Sequence, residues 1–162
     1  MMAAAKTGVT QYATPSDTQV RILRVVDAPR QLVFETYTQP KHLKKWLLGP
    51  EGWTMDVCEI DTRPGGAWKY TWSKADGSQL TLSGKVREFT PPQRMVTTER
   101  WGPEWPETVN TAEFAESGGQ TTITITITYP SKEARDAALK TGMKDGMDQG
   151  FARLDQLLAT IS

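Results

Sequence analysis

The sequence predicts an α+β domain in which a curved antiparallel β-sheet wraps around a long C-terminal α-helix, with two short helices after the first strand. Three observations predict it. Between Trp53 and Tyr129, turn signals at Pro64-Gly65-Gly66, Asp76-Gly77, Pro91-Pro92, Gly102-Pro103 and Ser117-Gly118-Gly119 divide the chain into about six strands. Connections this short leave no room for a parallel crossover, so neighbouring strands run antiparallel. Second, two strands alternate cleanly. Trp68, Tyr70 and Trp72 share one face, and Ile123, Ile125, Ile127 and Tyr129 lie opposite Thr122, Thr124, Thr126 and Thr128. One side of the sheet is therefore apolar and needs a cover. Third, Met143, Met147, Phe151, Leu154, Leu158 and Ile161 recur at spacings of three or four, an apolar stripe about five turns long that supplies the cover.

The elements follow in order. Residues 1–17, rich in Ala, Thr and Ser, are expected to fray as a flexible tail, leaving 18–162 as the domain. Thr18 to Val26 is dense in β-branched residues and reads as a strand. Asp27-Ala28-Pro29 then starts a helix, with Asp27 or Ala28 near its N-cap. Leu32, Val33 and Tyr37 sit at helical spacing and Pro40 ends the segment. A second helix over Lys41 to Leu48 gathers Leu43, Trp46 and Leu47 on one side before Gly49-Pro50 stops it. In the strand region, Asp76-Gly77 is the strongest hairpin signal. At the C-terminal end, Ser131 is a good N-cap and Glu133 suits the positive end of the helix dipole. Gly142, Gly146 and Gly150 sit four apart along the predicted helix. Each costs about 0.5–1 kcal/mol relative to alanine. Two explanations stand side by side: close approach of helix to sheet, and space hollowed out between them.

Composition bounds the function. At 162 residues the chain fits one domain able to bury roughly 70% of its unfolded surface. Nineteen basic against nineteen acidic residues argue against nucleic acid, which requires a basic face to release counterions. The longest uncharged run, Ser117 to Ser131, is too rich in threonine and glycine for a membrane span. The opening residues contain no apolar stretch of signal-peptide length. Together with the single cysteine, Cys58, this makes a cytoplasmic address the expectation.

The order strand, two short helices, six antiparallel strands, long helix is that of a helix-grip fold. The residues that fill it resemble the START-like (SRPBCC) superfamily and, within it, bacterial proteins homologous to the activator of heat-shock protein 90 ATPase. The likeness is carried by Ala28-Pro29; by Trp46, Gly49, Pro50 and Gly52; and by the Asp-x-Arg-Pro-Gly-Gly turn formed by Asp61, Arg63, Pro64, Gly65 and Gly66 before Trp68. It continues through Gly84, Val86, Glu88, Pro91, Pro92, Arg94 and Thr98 to Gly146, Gly150, Leu154 and Leu158. The resemblance implies a cavity between long helix and sheet that accepts an apolar small molecule, leaves room for a stress-related role, and makes a homodimer plausible. It does not carry chaperone activity over. The eukaryotic activators have an additional N-terminal domain that grips the chaperone, where this chain has a tail.

Residue by residue, chemistry is sparse. His42 is the only histidine and lies among Lys41, Lys44 and Lys45, a setting that suggests a solvated face. With one histidine and no carboxylate cluster beside it, a metal site is not expected. Cys58 has no basic neighbour in sequence to activate it and reads as a structural thiol. Glu88 and Arg94 are expected to pair across the Pro91-Pro92 hairpin, and Asp61 and Arg63 to fix their turn. No nucleophile–base pair, phosphate loop or cofactor motif is present, so neither a catalytic set nor a cofactor is assigned. Glu99 alone shares a strand face with Met95, Thr97 and Trp101; if that face points inward, burial would raise its pKa.

The expected ligand site combines Trp46, Trp68, Tyr70, Trp72 and Glu99 with Met143, Gly146 and Met147. Trp46 is placed near the entrance, and the aromatic rings supply walls whose N–H and O–H groups orient a ligand. The methionines lend adaptability. The leading expectation is a non-catalytic carrier or sensor of an apolar small molecule. The alternatives are a hydrolase or cyclase in which Glu99 or Tyr70 moves a proton, and a chaperone-interacting module.

Overall fold

The computed structural model describes residues 7–161. Eight strands form one antiparallel sheet: β1 (Thr10–Ala13), β2 (Gln19–Val26), β3 (Thr54–Ile60), β4 (Ala67–Ser73), β5 (Gln79–Thr90), β6 (Arg94–Glu99), β7 (Thr108–Ser117) and β8 (Gln120–Thr128). Their spatial order is β1-β2-β8-β7-β6-β5-β4-β3. From β3 to β8 each strand pairs with its successor, as the short turns require, while β2 closes onto β8. Helices α1 (Arg30–Thr38) and α2 (Pro40–Trp46) connect β2 to β3, and α3 (Lys132–Leu139) and α4 (Met143–Ile161) complete the chain. The α+β helix-grip architecture is the one the alternation and turn signals predict.

The inner face of the sheet carries the two alternating sets. Trp68, Tyr70 and Trp72 on β4 are buried, as are Ile123, Ile127 and the following Tyr129 on β8. The α4 stripe meets them through Phe151, Leu154 and Leu158, all nearly inaccessible, each side chain stabilising the fold by about 1.5–3 kcal/mol through burial. Gly84 marks a close approach of β5 to the β6 backbone. A Cβ there would lie 1.8 Å from the Thr98 carbonyl oxygen, and the same oxygen accepts the Trp68 indole N–H at 3.1 Å. Only glycine lets β5 lie this close to β6. The Asp61–Gly66 turn is fixed as expected: Arg63 Nε donates to Asp61 Oδ2 at 2.8 Å, and Gly65 takes the left-handed φ of 85°. Glu88 and Arg94 pair at 3.3 Å.

Three expectations are corrected. The tail is not wholly free: β1 pairs with β2 over Thr10–Ala13, and the Tyr12 hydroxyl donates to α4 at Asp148 Oδ1, 2.8 Å away. Period-2 signals over four residues are too short to register in a segment of mixed polarity. Thr7 also bridges Val25, so the segment is tied to the sheet from residue 7 on; residues 1–6 of the expected tail lie outside the described residues. Second, the long C-terminal helix is two. Ser131 does cap, its side chain accepting from the Ala134 N–H at 3.1 Å, but it caps α3. Gly142, with φ 82°, lies at the break rather than inside a helix, so its conformational freedom is used to turn the chain. Third, the α1 cap is Pro29, which has no capping side chain; Glu116 of β7 instead accepts the Arg30 N–H at 2.8 Å.

Candidate ligand-binding site

The inner face of β4 and the end of β6 collect four of the expected residues, Trp68, Tyr70, Trp72 and Glu99. Along β4 the rings of Trp68 and Tyr70 lie 4.8 Å apart, and those of Tyr70 and Trp72 5.9 Å. Trp101, just after β6, stacks on Trp72 at 5.7 Å and 18°. Together they make a continuous aromatic wall. The indole donors are spent on structure, however: Trp68 on the Thr98 carbonyl, Trp72 on the Leu47 carbonyl at 2.7 Å, and Trp46 on the Thr36 carbonyl at 2.8 Å. They hold these rings in place and leave other polar groups on this face without such a task.

Those groups surround Glu99. Strand register places Glu99 opposite Thr108, and Asn110 opposite Thr97 on the adjoining row. The Glu99 carboxylate accepts from Trp101 Nε1 at 3.0 Å and from Asn110 Nδ2. Burial lifts its pKa from 4.5 to about 7, with the Trp101 hydrogen bond pulling the other way. By accessible surface the residue is half-buried. Two phenols are close enough to feel its charge. Tyr70 is raised by burial, then by Cys58 and Glu99; Tyr129 is raised to about 12 by burial and then by Glu99. The Tyr129 hydroxyl contacts the Met143 sulfur at 4.0 Å. Among the described residues no Lys, Arg or His forms an ion pair with Glu99. At the rim, Leu80, Trp101 and Trp105 are 39%, 38% and 36% exposed.

Two of the eight expected residues stand elsewhere. Trp46 is not at an entrance: it is 3% exposed and packed against Tyr37 and Phe151. Gly146 does not hollow out space toward the sheet. A Cβ on it would meet Pro50 Cδ at 3.3 Å, so it lets α4 approach the loop after α2. Gly150 likewise faces the Trp46 carbonyl at 3.5 Å. These two glycines are packing devices. Met143 and Met147 are partly buried against the core, at the end of α4 nearest Tyr129.

Open space lies outside the aromatic wall. A shallow groove of about 500 Å³ between α2 and α4 is lined by Lys45, Leu48, Arg153, Gln156, Leu157 and Thr160. A smaller depression of about 180 Å³ lies where β1 meets the α3–α4 break, lined by Tyr12, Leu139, Lys144 and neighbours. The wall itself is closed over. His42 is half-buried rather than solvated, its Nδ1 unpartnered, and burial, Lys41 and Lys45 lower its pKa. Burial raises the half-buried Cys58 thiol. Among the described residues no three His, Cys, Asp or Glu side chains come together to hold a metal, and no helix is long and apolar enough to cross a membrane.

Sequence reasoning missed Asn110 and Arg24. Asn110 sits in a strand with little alternation to mark its face. Arg24 shares the inward parity of Val20, Ile22 and Val26, a signal that was available. It is 5% exposed and pairs with Asp155 of α4 at 2.5 Å, its NH1 donating to Thr10 of β1 at 2.7 Å.

A sheet gripping a C-terminal helix, with an aromatic inner wall, defines the helix-grip class. Residues 27–159 match the family described as Activator of Hsp90 ATPase homolog 1-like protein, and the chain belongs to that family. A crystal structure from Rhodobacter sphaeroides is 27% identical, with a TM-score of 0.88, covering 95% of this chain and 100% of that one. A Mycobacterium smegmatis protein is 25% identical with a TM-score of 0.81, covering 92% and 96%. The AHSA1 protein of Silicibacter pomeroyi, 20% identical with a TM-score of 0.73 over 89% and 99%, shares the fold. No curated protein matches the chain. The family fold is compatible with ligand binding.

Proposed function

We propose that the protein binds an apolar small molecule between the aromatic wall and the start of α4, as a non-catalytic carrier or sensor. The observation that supports this reading is the wall of Trp68, Tyr70, Trp72 and Trp101 beside one desolvated carboxyl group, Glu99. Large apolar surfaces with one or two polar groups are what small-molecule sites present. The cover is adaptable, since Met143 and Met147 are flexible thioethers and the loop bearing Trp105 is exposed. Entry requires that cover to yield. The test is an NMR titration with a neutral naphthalene-sized probe, following the indole N–H signals. Saturable shifts at Trp72 and Trp101 are expected. Shifts confined to Leu48 and Leu157, in the α2–α4 groove, or no shifts at all, overturn the reading.

One observation favours an enzyme instead: a carboxyl group titrating at about 7 suits general acid–base work. In that reading Glu99 exchanges a proton with the bound molecule beside Tyr70, as in a hydrolase or cyclase. Mass spectrometry of the molecule that co-purifies with the protein, before and after prolonged incubation, separates the two. Recovery of an unchanged compound supports binding.

A further inference from the structure

The groove of about 500 Å³ between α2 and α4 shares no residue with the aromatic wall. Its volume falls in the range of small-molecule sites, roughly 300–1,000 Å³. Arg153, Gln156, Leu157 and Thr160 line it from α4, and their helical spacing sets them on one stripe about 10 Å long. Lys45 and Leu48 line it from the end of α2 and the residues just beyond. Leu157 is buried and Leu48 half-buried, so the floor is apolar.

Both charges on the lining are positive. Arg153 Nη1 donates to the Gly49 carbonyl at 2.6 Å. That bond fixes the guanidinium against the loop after α2, and its other N–H groups meet no protein acceptor among the described residues. Neither Arg153 nor Lys45 forms an ion pair among the described residues. Helix α2 contains no acid, and Lys41 stands one turn before Lys45 on the same side. The acids of α4 are engaged elsewhere: Asp155 pairs with Arg24, Asp148 accepts from Tyr12, and Asp145 accepts from Gln149.

Leucine side chains set beside such cations are complementary to an amphiphile of opposite charge. We propose that this groove binds a small amphiphilic anion, with a carboxylate or phosphate head held by Lys45 and Arg153 and an alkyl body on Leu48 and Leu157. The guanidinium fork matches the oxygens of either head. A cationic amphiphile is repelled, and a neutral one leaves the cations unused. The site is independent of binding at the aromatic wall.

The test titrates the full chain with octanoate, octyl phosphate and octanol at about pH 7, where both acids are charged, following the amide signals of Lys45, Leu48, Leu157 and Thr160 by NMR. One or both anions are expected to bind about tenfold more tightly than octanol, and the tighter head identifies the ligand as carboxylate or phosphate. Raising salt from about 50 mM to about 500 mM should weaken the anion several-fold without weakening octanol. Lys45→Gln, at an exposed position, should do likewise in low salt. Arg153→Gln should have the larger effect; if losing the Gly49 contact unfolds that variant, Lys45→Gln decides alone. Octanol binding as tightly as both anions, an anion preference that survives Lys45→Gln unchanged, or no saturable shift at these amides overturns the proposal. Shifts of the Trp72 and Trp101 indoles report on the wall alone, so the two readings fail separately.

Discussion

At Glu99, environment rather than residue type sets the chemistry. Its folded-state pKa of about 7 lies above the ordinary 4.5 because burial penalises the charged form. The sign follows: its contribution to stability is fully present below about 4.5 and is lost as pH rises through about 7. Glutamine resembles the protonated acid, its oxygen accepting from Trp101 and its NH2 donating to Asn110 Oδ1 once that amide turns over. Glu99→Gln should therefore match wild type near pH 4.5 and exceed it by up to roughly 3 kcal/mol above pH 7. Urea melts across that range check this, and parallel pH curves for the two proteins would refute it. Gly146 invites the opposite kind of change. Its Cβ position faces Pro50 at 3.3 Å, so Gly146→Leu should cost about 1–3 kcal/mol by overpacking the α2–α4 junction. Probe binding at the aromatic wall should be unchanged in the folded fraction; lost binding at full stability would mean the glycine lines the site.

Among the elements, β1 has the most consequence for its size. Four residues of edge strand connect to α4 through Tyr12, whose hydroxyl donates to Asp148 Oδ1 at 2.8 Å and to the Lys144 carbonyl at 3.0 Å. The contact lies one turn from Met143 and Met147, and just beyond the break where Gly142 adopts φ 82°. The strand therefore ties down the first turns of α4. Tyr12→Phe removes the tie without changing the ring. It should cost about 0.5–1.5 kcal/mol and accelerate amide hydrogen exchange first in β1 and in the α4 turn around Lys144. Exchange that speeds uniformly through the domain would count against a local tie.

In the whole molecule, Arg24 joins three separate parts. It lies on β2, pairs with Asp155 in the C-terminal half of α4, donates to Thr10 of β1, and stands over the Phe151 ring at 5.6 Å. A buried cation deprived of its partner is costly. Asp155→Asn should destabilise the domain by a few kcal/mol, with the partial exposure of Asp155 moderating the loss. Arg24→Met, which removes the charge and keeps the volume, should cost less than Asp155→Asn. Chemical denaturation of the two variants decides it, and the reverse order would show that the pair itself, rather than an unpaired charge, carries the energy.

The architecture was legible in the sequence because it rests on local rules. Period-2 alternation at Trp68–Trp72 and Ile123–Tyr129 sets which face is buried, short turns force antiparallel order, and the three-four spacing of Phe151, Leu154 and Leu158 orients the helix. The same parity put Glu99 on the face of Met95 and Thr97 but left open whether that face points inward. What the sequence left open was decided by partners distant along the chain. Gly142 and Gly146 are spaced alike, yet one breaks the helix and the other admits Pro50. Trp46 and Trp101 are the same residue type, yet one is buried in the core and the other is exposed. Tyr12 belongs to a polar segment whose strand exists because β2 offers it a free edge and α4 an acceptor. Apart from the local turn at Gly142, these outcomes are contacts between residues tens to more than a hundred positions apart, and periodicity carries no information at that range.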